Sequence, residues 1–208
     1  MPRHILGAAA TVAAALALAA PAGATTFGSP GLGDPFFPLA GNGGYDVGHY
    51  GLSLDYARTG NRLQGSVTID ATATQALDRF DLDLRGFSIS RLDVNRQPAT
   101  FTRDGQELQI TPRNRLQAGK AFTVRVDYAG SPEPTIDPDG SLDGWIRTTD
   151  GAVVLNEPQG TPTWFPVNDN PRDKATYDFS ISVPDGLTAL ANGVLVSSTS
   201  SDGKTTWV

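Results

Sequence analysis

Phe122-Thr123-Val124-Arg125-Val126-Asp127-Tyr128 and Tyr177-Asp178-Phe179-Ser180-Ile181-Ser182-Val183 alternate apolar and polar side chains without a break. A period of two sends alternate side chains to opposite faces of an extended strand, whereas a helix would scatter them around its axis. Shorter stretches repeat the pattern. Residues 47–56 and 63–73 flank Thr59-Gly60-Asn61, a hairpin signal. Residues 89–94, 99–103 and 108–111 read as short strands broken at Asn95-Arg96 and Asp104-Gly105, and residues 145–148 and 153–156 flank Asp150-Gly151. Phe80, Leu82 and Leu84 alternate with Asp81, Asp83 and Arg85, which predicts one apolar face on a core and one charged face in solvent. Residues 130–143 read as a Pro/Asp/Gly-rich loop. Composition agrees: Glu occurs only at Glu107, Glu133 and Glu157, Lys only at Lys120, Lys174 and Lys204, while Gly numbers 23 and Pro 15. Good helix formers are therefore scarce outside the N-terminus. The expected fold is all-β, an antiparallel, twisted, saddle-like β-sandwich over residues 45–208, with no internal repeat and no second domain.

The ends carry other signals. Residues 1–24 read as a secretory signal peptide: Arg3, an apolar run, Pro21 and then Ala22-Gly23-Ala24 as a small-x-small cleavage site. The run is too short and Ala-rich for a membrane anchor, so the protein is expected to be secreted after cleavage near Ala24, with no membrane partner. Residues 25–44 form an extended Gly/Pro-rich lead-in, and Gly41-Asn42-Gly43-Gly44 reads as its flexible last part. At the far end, residues 190–197 and 205–208 read as two strands around Ser201-Asp202-Gly203, the second stopping at Trp207-Val208. A strand cut short leaves an unpaired edge, so the chain is expected to be the front of a longer one, or a truncated product.

Counting removes most chemistries. With 16 Lys plus Arg against 22 Asp plus Glu the net charge is −6, and no basic cluster exists to neutralise nucleic-acid phosphates. Cysteine is absent, which excludes disulfides, a thiolate nucleophile and Cys-ligated metals. Histidine occurs only at His4 and His49, so neither an H-E-x-x-H zinc site nor a supported Ser-His-Asp triad can be assembled. His49 lies on the first strand, where a packing or capping role is expected. The many strand carboxylates read as a solvated face rather than a glycosidase pair. Asp137-Pro138-Asp139-Gly140-Ser141-Leu142-Asp143 lacks the spacing and terminal Glu of a calcium-binding EF-hand loop and reads as an ordinary turn region.

Residues 156–177 differ in kind. Glu157 ends an apolar strand and is followed by a loop containing Pro158, Pro162, Pro166 and Pro171, with Trp164 and Phe165 available to anchor it. Prolines restrict the backbone and buried aromatics fix the loop, so Glu157 would be presented with little entropy left to lose. A rigid carboxylate suits a cationic partner such as an ammonium group; the alternative is that it pairs with a nearby Arg or backbone amide.

Glu157, Phe165-Pro166, Asp169, Pro171 and Lys174-Ala175-Thr176-Tyr177 resemble, position by position, the E-P-x-x-A-R-x-x-F-P-C-x-D-E-P-x-x-K-A-T-F stretch of the aminopeptidase N family of zinc metallopeptidases. Asn42-Gly43-Gly44-Tyr45-Asp46-Val47 with His49-Tyr50 is similar to the start of the first strand in secreted bacterial members. The resemblance implies the N-terminal β domain of a zinc aminopeptidase, which removes N-terminal residues from peptides with the help of a catalytic domain in the same longer chain. It further implies that Glu157 binds the α-ammonium of the peptide substrate's N-terminus, and that Pro166, Asp169, Pro171 and Lys174 shape the loop. Val167 and Asn170 depart from the family's Cys and Glu. The G-x-M-E-N and H-E-x-x-H motifs are not in this segment. Zinc is thus expected in the full-length family enzyme and not in this segment, which should be inactive alone. The competing expectation is a stand-alone secreted β-sandwich that binds through Trp145, Trp164 and Trp207, or a non-catalytic remnant.

Overall fold

A computed structural model describes residues 25–137 and 139–208. The signal-peptide reading of residues 1–24 falls outside the described residues. Two long strands, β1 (Tyr45–Ala57) and β2 (Arg62–Ala73), are joined by a single 3-10 turn at Thr59–Asn61, with Gly60 and Asn61 both at positive φ. Twelve other strands follow: β3 (Phe80–Asp83), β4 (Ser88–Val94), β5 (Gln97–Pro98), β6 (Thr100–Asp104), β7 (Glu107–Thr111), β8 (Ala121–Gly130), β9 (Thr135–Ile136), β10 (Leu142–Arg147), β11 (Ala152–Leu155), β12 (Thr176–Pro184), β13 (Ser198–Ser201) and β14 (Lys204–Trp207). They make one eight-stranded sheet in the order β13-β14-β12-β1-β2-β8-β4-β5, and two three-stranded sheets, β11-β10-β9 and β3-β7-β6. No helix among the described residues is long and apolar enough to cross a membrane.

Alternation explains the layering. On β1 the buried set starts at odd positions, Tyr45 and Val47, and continues at even ones, Tyr50, Leu52, Leu54 and Tyr56. The register of β1 on β2 shifts between Val47 and His49. An extra residue in one strand turns the following side chains to the opposite face, so this bulge keeps the apolar set on one side of the sheet. The same face continues through Val67, Ile69 and Ala71 of β2 and Val124, Val126 and Tyr128 of β8. Both small sheets cover it. Phe80 of β3 packs edge-on against Tyr45 and Phe122, at ring separations of 5.6 and 5.4 Å, and Trp145 of β10 lies 5.3 Å from Tyr56.

The structure departs from the expected pattern at four places. β1 and β12 pair in parallel, because β12 returns to the sheet after the long excursion through β9–β11, so the large sheet is mixed rather than wholly antiparallel. Residues 190–196 form no strand; Leu190 and Val194 are each 89% exposed, and β14 instead pairs with the polar run Ser198–Ser201. Hydrophobic character alone could not choose between these segments. Gly41-Asn42-Gly43-Gly44 is packed rather than free, with Asn42 buried and its N–H bonded to Asn168 Oδ1 at 2.6 Å. Finally, both faces of β3 are buried: Asp81 and Asp83 are 0% exposed, as fully enclosed as Phe80. Their face is closed by chain from far away, since Asp83 accepts N–H bonds from Gly41 and from Asp169.

Candidate functional site

Glu157 sits directly after the β10–β11 hairpin. Strand β10 pairs with β11 from Gly144↔Leu155 to Arg147↔Ala152, and the connecting turn is held by Thr148, whose Oγ accepts the Gly151 N–H at 2.9 Å. The hairpin is pinned at its root by close backbone contact. Gly144 has φ +81°, and a Cβ there would lie 2.3 Å from Thr163 Oγ1 and 2.8 Å from the Gly160 carbonyl oxygen. Only a glycine tolerates both the left-handed conformation and the approach. Thr163 Oγ1 ties the same point together, accepting the Trp145 N–H at 2.9 Å and donating to the Gly160 carbonyl at 2.7 Å.

The loop beyond Glu157 is fastened to the core along its length. The Glu157–Pro158 peptide is cis, and Thr161–Thr163 form a buried 3-10 turn. Phe165 is buried edge-on against Trp164 at 4.4 Å and Tyr50 at 5.7 Å. Val167 exchanges two backbone hydrogen bonds with Asp83, at 2.8 and 3.1 Å. Asn168 donates its N–H to Tyr50 Oη and accepts the Asn42 N–H, and Asn170 Nδ2 donates to the Ala40 carbonyl at 3.1 Å. Asp169 accepts the Gly160 N–H at 3.0 Å, and burial pushes its carboxyl up to about 6. Asp173 accepts the Val47 N–H at 3.0 Å and is likewise raised by burial to about 6.

Sequence reasoning expected Pro166, Asp169, Pro171 and Lys174 to hold this loop. Pro166 is buried and Asp169 is bonded to the turn, but Pro171 and Lys174 are exposed. The holding falls to Asn168, Asn170 and Asp173, side chains whose partners Asn42, Ala40 and Val47 lie 126, 130 and 126 residues away. Val167, where the family has Cys, is buried in an apolar setting that suits it.

The Glu157 carboxylate is exposed, and among the described residues its side chain has no hydrogen bond or ion pair. Its backbone is not free: the Glu157 N–H is shared between the two carboxylate oxygens of Asp143, each at 3.3 Å. Asp143 was not singled out by sequence, where it looked like one acid of a loop. It is 3% exposed and belongs to β10, next to Gly144. Burial raises its pKa, and the neighbouring Asp137 and Glu157 carboxylates act in the same direction.

Other candidates resolve differently. His49 makes contacts across to β12, with Nδ1 2.8 Å from Thr176 Oγ1 and Nε2 3.5 Å from Asp178. Trp145 is buried and donates its Nε1–H to Asn61 Oδ1 at 3.0 Å, so three tryptophans do not share one open binding face. Trp164 stacks in a row with Phe179 and Tyr177, and all three line an apolar groove of about 800 Å³ whose rim includes Asn156. Among the described residues no group of three or more His, Cys, Asp or Glu could hold a metal ion. With His49 as the only imidazole there, these residues do not fit a zinc centre.

The chain matches the model of the peptidase M1 N-terminal domain over residues 47–208. Among solved structures it is similar to a two-domain M1 zinc metallopeptidase bound to L-arginine, at 35% identity and a TM-score of 0.80. An M1 zinc metallopeptidase from Deinococcus radiodurans bound to a Tyr-Ser-Ala substrate is 35% identical, with a TM-score of 0.79, and another structure of an M1 zinc metallopeptidase from that organism is 34% identical, with a TM-score of 0.80. In each case the match covers 85% of this chain and 41% of the other, so the chain spans less than half the length of these relatives. The fold, the matched model and the level of identity together show that this chain belongs to the M1 zinc metallopeptidase family, as its N-terminal β domain.

Proposed function

We propose that this domain supplies the amine-binding carboxylate of a secreted zinc aminopeptidase, Glu157 gripping the α-ammonium of a peptide substrate beside a catalytic domain in the same longer protein. The observation that carries the reading is the contrast at Glu157: a carboxylate with no partner of its own among the described residues, on a turn whose first N–H is bonded to Asp143 and whose last is bonded to Asp169. A free carboxylate on a mobile loop would lose ordering entropy when it binds, whereas this one has been ordered by folding. An ammonium offers the complementary charge and three N–H donors, which makes charge-assisted bonds available. Zinc chemistry belongs to the partner domain in this reading, and no step of it involves the residues described here.

The test is Glu157→Gln in the protein joined to its catalytic domain. Removing one charged partner of an ammonium is worth roughly 1.5–3 kcal/mol, so kcat/KM for peptides with a free N-terminus should fall by about 10- to 100-fold, chiefly through KM. Unchanged kinetics in a folded Glu157→Gln variant would overturn the assignment.

A further inference from the structure

The buried carboxylate of Asp143 is an expensive group to place where it is. It is 3% exposed, and among the described residues it has no cationic partner and accepts hydrogen bonds from the backbone N–H groups of Gly144 and Glu157. Burying a charge is tolerated where it is hydrogen-bonded, and here both oxygens converge on the N–H of Glu157, whose own side chain is exposed and unpaired among the described residues. Asp143 sits at a crowded point of the backbone: Gly144 beside it is in close contact with Gly160, where a Cβ would come within 2.6 Å of the Gly144 nitrogen. The four-residue turn Glu157-Pro158-Gln159-Gly160 is thereby fixed at its two ends by two different carboxylates. Asp143 takes the first N–H and Asp169 takes the last.

We propose that Asp143 is a positioning residue for substrate binding: it clamps the Glu157 amide so that the Glu157 carboxylate is held in one direction. The inference rests on the amine-binding reading of Glu157 and adds to it the residue that sets its orientation. Asp143 does not touch substrate. It acts through the Glu157 peptide, and a residue acting in that way leaves a particular signature in a double-mutant cycle.

The experiment has two arms. In the protein joined to its catalytic domain, Asp143→Ala should raise KM for a peptide with a free N-terminus about tenfold while leaving kcat within a few-fold. Asp143→Asn keeps an acceptor oxygen at the same place and should stay within about threefold of wild type. The double variant with Glu157→Gln should be no worse than Glu157→Gln alone. Wild-type KM in a folded Asp143→Ala protein, an Asn variant as defective as Ala, or additive losses in the double variant would each overturn the proposal. Asp143→Ser, too short to reach the Glu157 N–H, replaces Ala if Ala does not fold. The second arm is independent of catalysis: amide exchange at Glu157 should accelerate at least tenfold in the Ala or Ser variant and not in Asn. Unchanged exchange there refutes the clamp itself. A Glu157→Gln protein with normal KM but fast Glu157 exchange in Asp143→Ala would instead refute the amine-binding reading.

Discussion

Replacing Glu107 by Gln should stabilise the protein above neutral pH and flatten a decline of stability with rising pH. Asp83 and Glu107 face each other across β3 and β7 and are 0% and 4% exposed. Asp83 has three donors, the N–H groups of Gly41 and Asp169 and the Gln106 amide, at 3.1, 3.0 and 3.1 Å. Among the described residues no N–H donates to either buried Glu107 oxygen or to either carboxylate oxygen of Asp81, which pairs with Arg79 at 3.7 Å. Asp104, the register partner of Glu107 on β6, adds a further like charge. Burial, reinforced by the neighbouring carboxylates, raises Glu107 to about 8 and Asp83 to about 7. Each member of the pair therefore keeps a proton that an unfolded chain would release near pH 4. Where the native state binds more protons than the unfolded one, stability falls as pH rises, here from about pH 4 through the native titration and not beyond it. One proton held about three units too long corresponds to ~4 kcal/mol, and an effective dielectric above that of dry protein brings the expected loss to roughly 2–4 kcal/mol. Glu107→Gln has the same shape and no charge to bury. Urea titrations followed by tryptophan fluorescence should find the variant close to wild type at pH 5 and about 1 M more resistant at pH 8.5. Asp169 and Asp173 titrate lower, near 6, so the window from pH 7 to 8.5 isolates the pair. A wild-type stability that is flat or rising across that window, or a Gln variant with the wild-type slope, would refute the reasoning.

Two further outcomes follow from the same geometry and from the signal-peptide reading. Gly144→Ala places a Cβ 2.3 Å from Thr163 Oγ1 at a φ of +81°, and strain plus overpacking should cost ~2–4 kcal/mol, read as a depressed Tm; an unchanged Tm would show that the β10 root is looser than described. The signal-peptide reading predicts a mature protein that begins at Thr25, which an intact mass of the purified product checks; an uncleaved mass would remove the reading.

The period of two was legible because alternation is a local property: β1, β2, β8 and β12 each lie where residues 47–56, 63–73, 122–128 and 177–183 alternate. Glu157 stood out for the same local reason, a lone Glu followed by prolines and aromatics, and its motif carried the family resemblance through to the match over residues 47–208. What alternation could not say is whether the polar face of a strand meets water. Asp81 and Asp83 read as a solvated face on β3 and are both buried, Asp83 because the lead-in and the loop near Asp169 close over it. Residues 190–197 read as a strand and are not, because strand pairing depends on which partner edge is free.

By itself, then, the sequence determined an all-β chain with one distinctive loop, since side-chain period, proline placement and the scarcity of histidine and cysteine act within a few residues of one another. Only the tertiary structure decided that Asp143 takes the Glu157 N–H across 14 residues, that Asn168 reaches Asn42 across 126, and that Asp83 faces Glu107. These contacts depend on how three sheets are stacked. Register and layer are set by the sum of packing over the whole core, and no window of the sequence contains that sum.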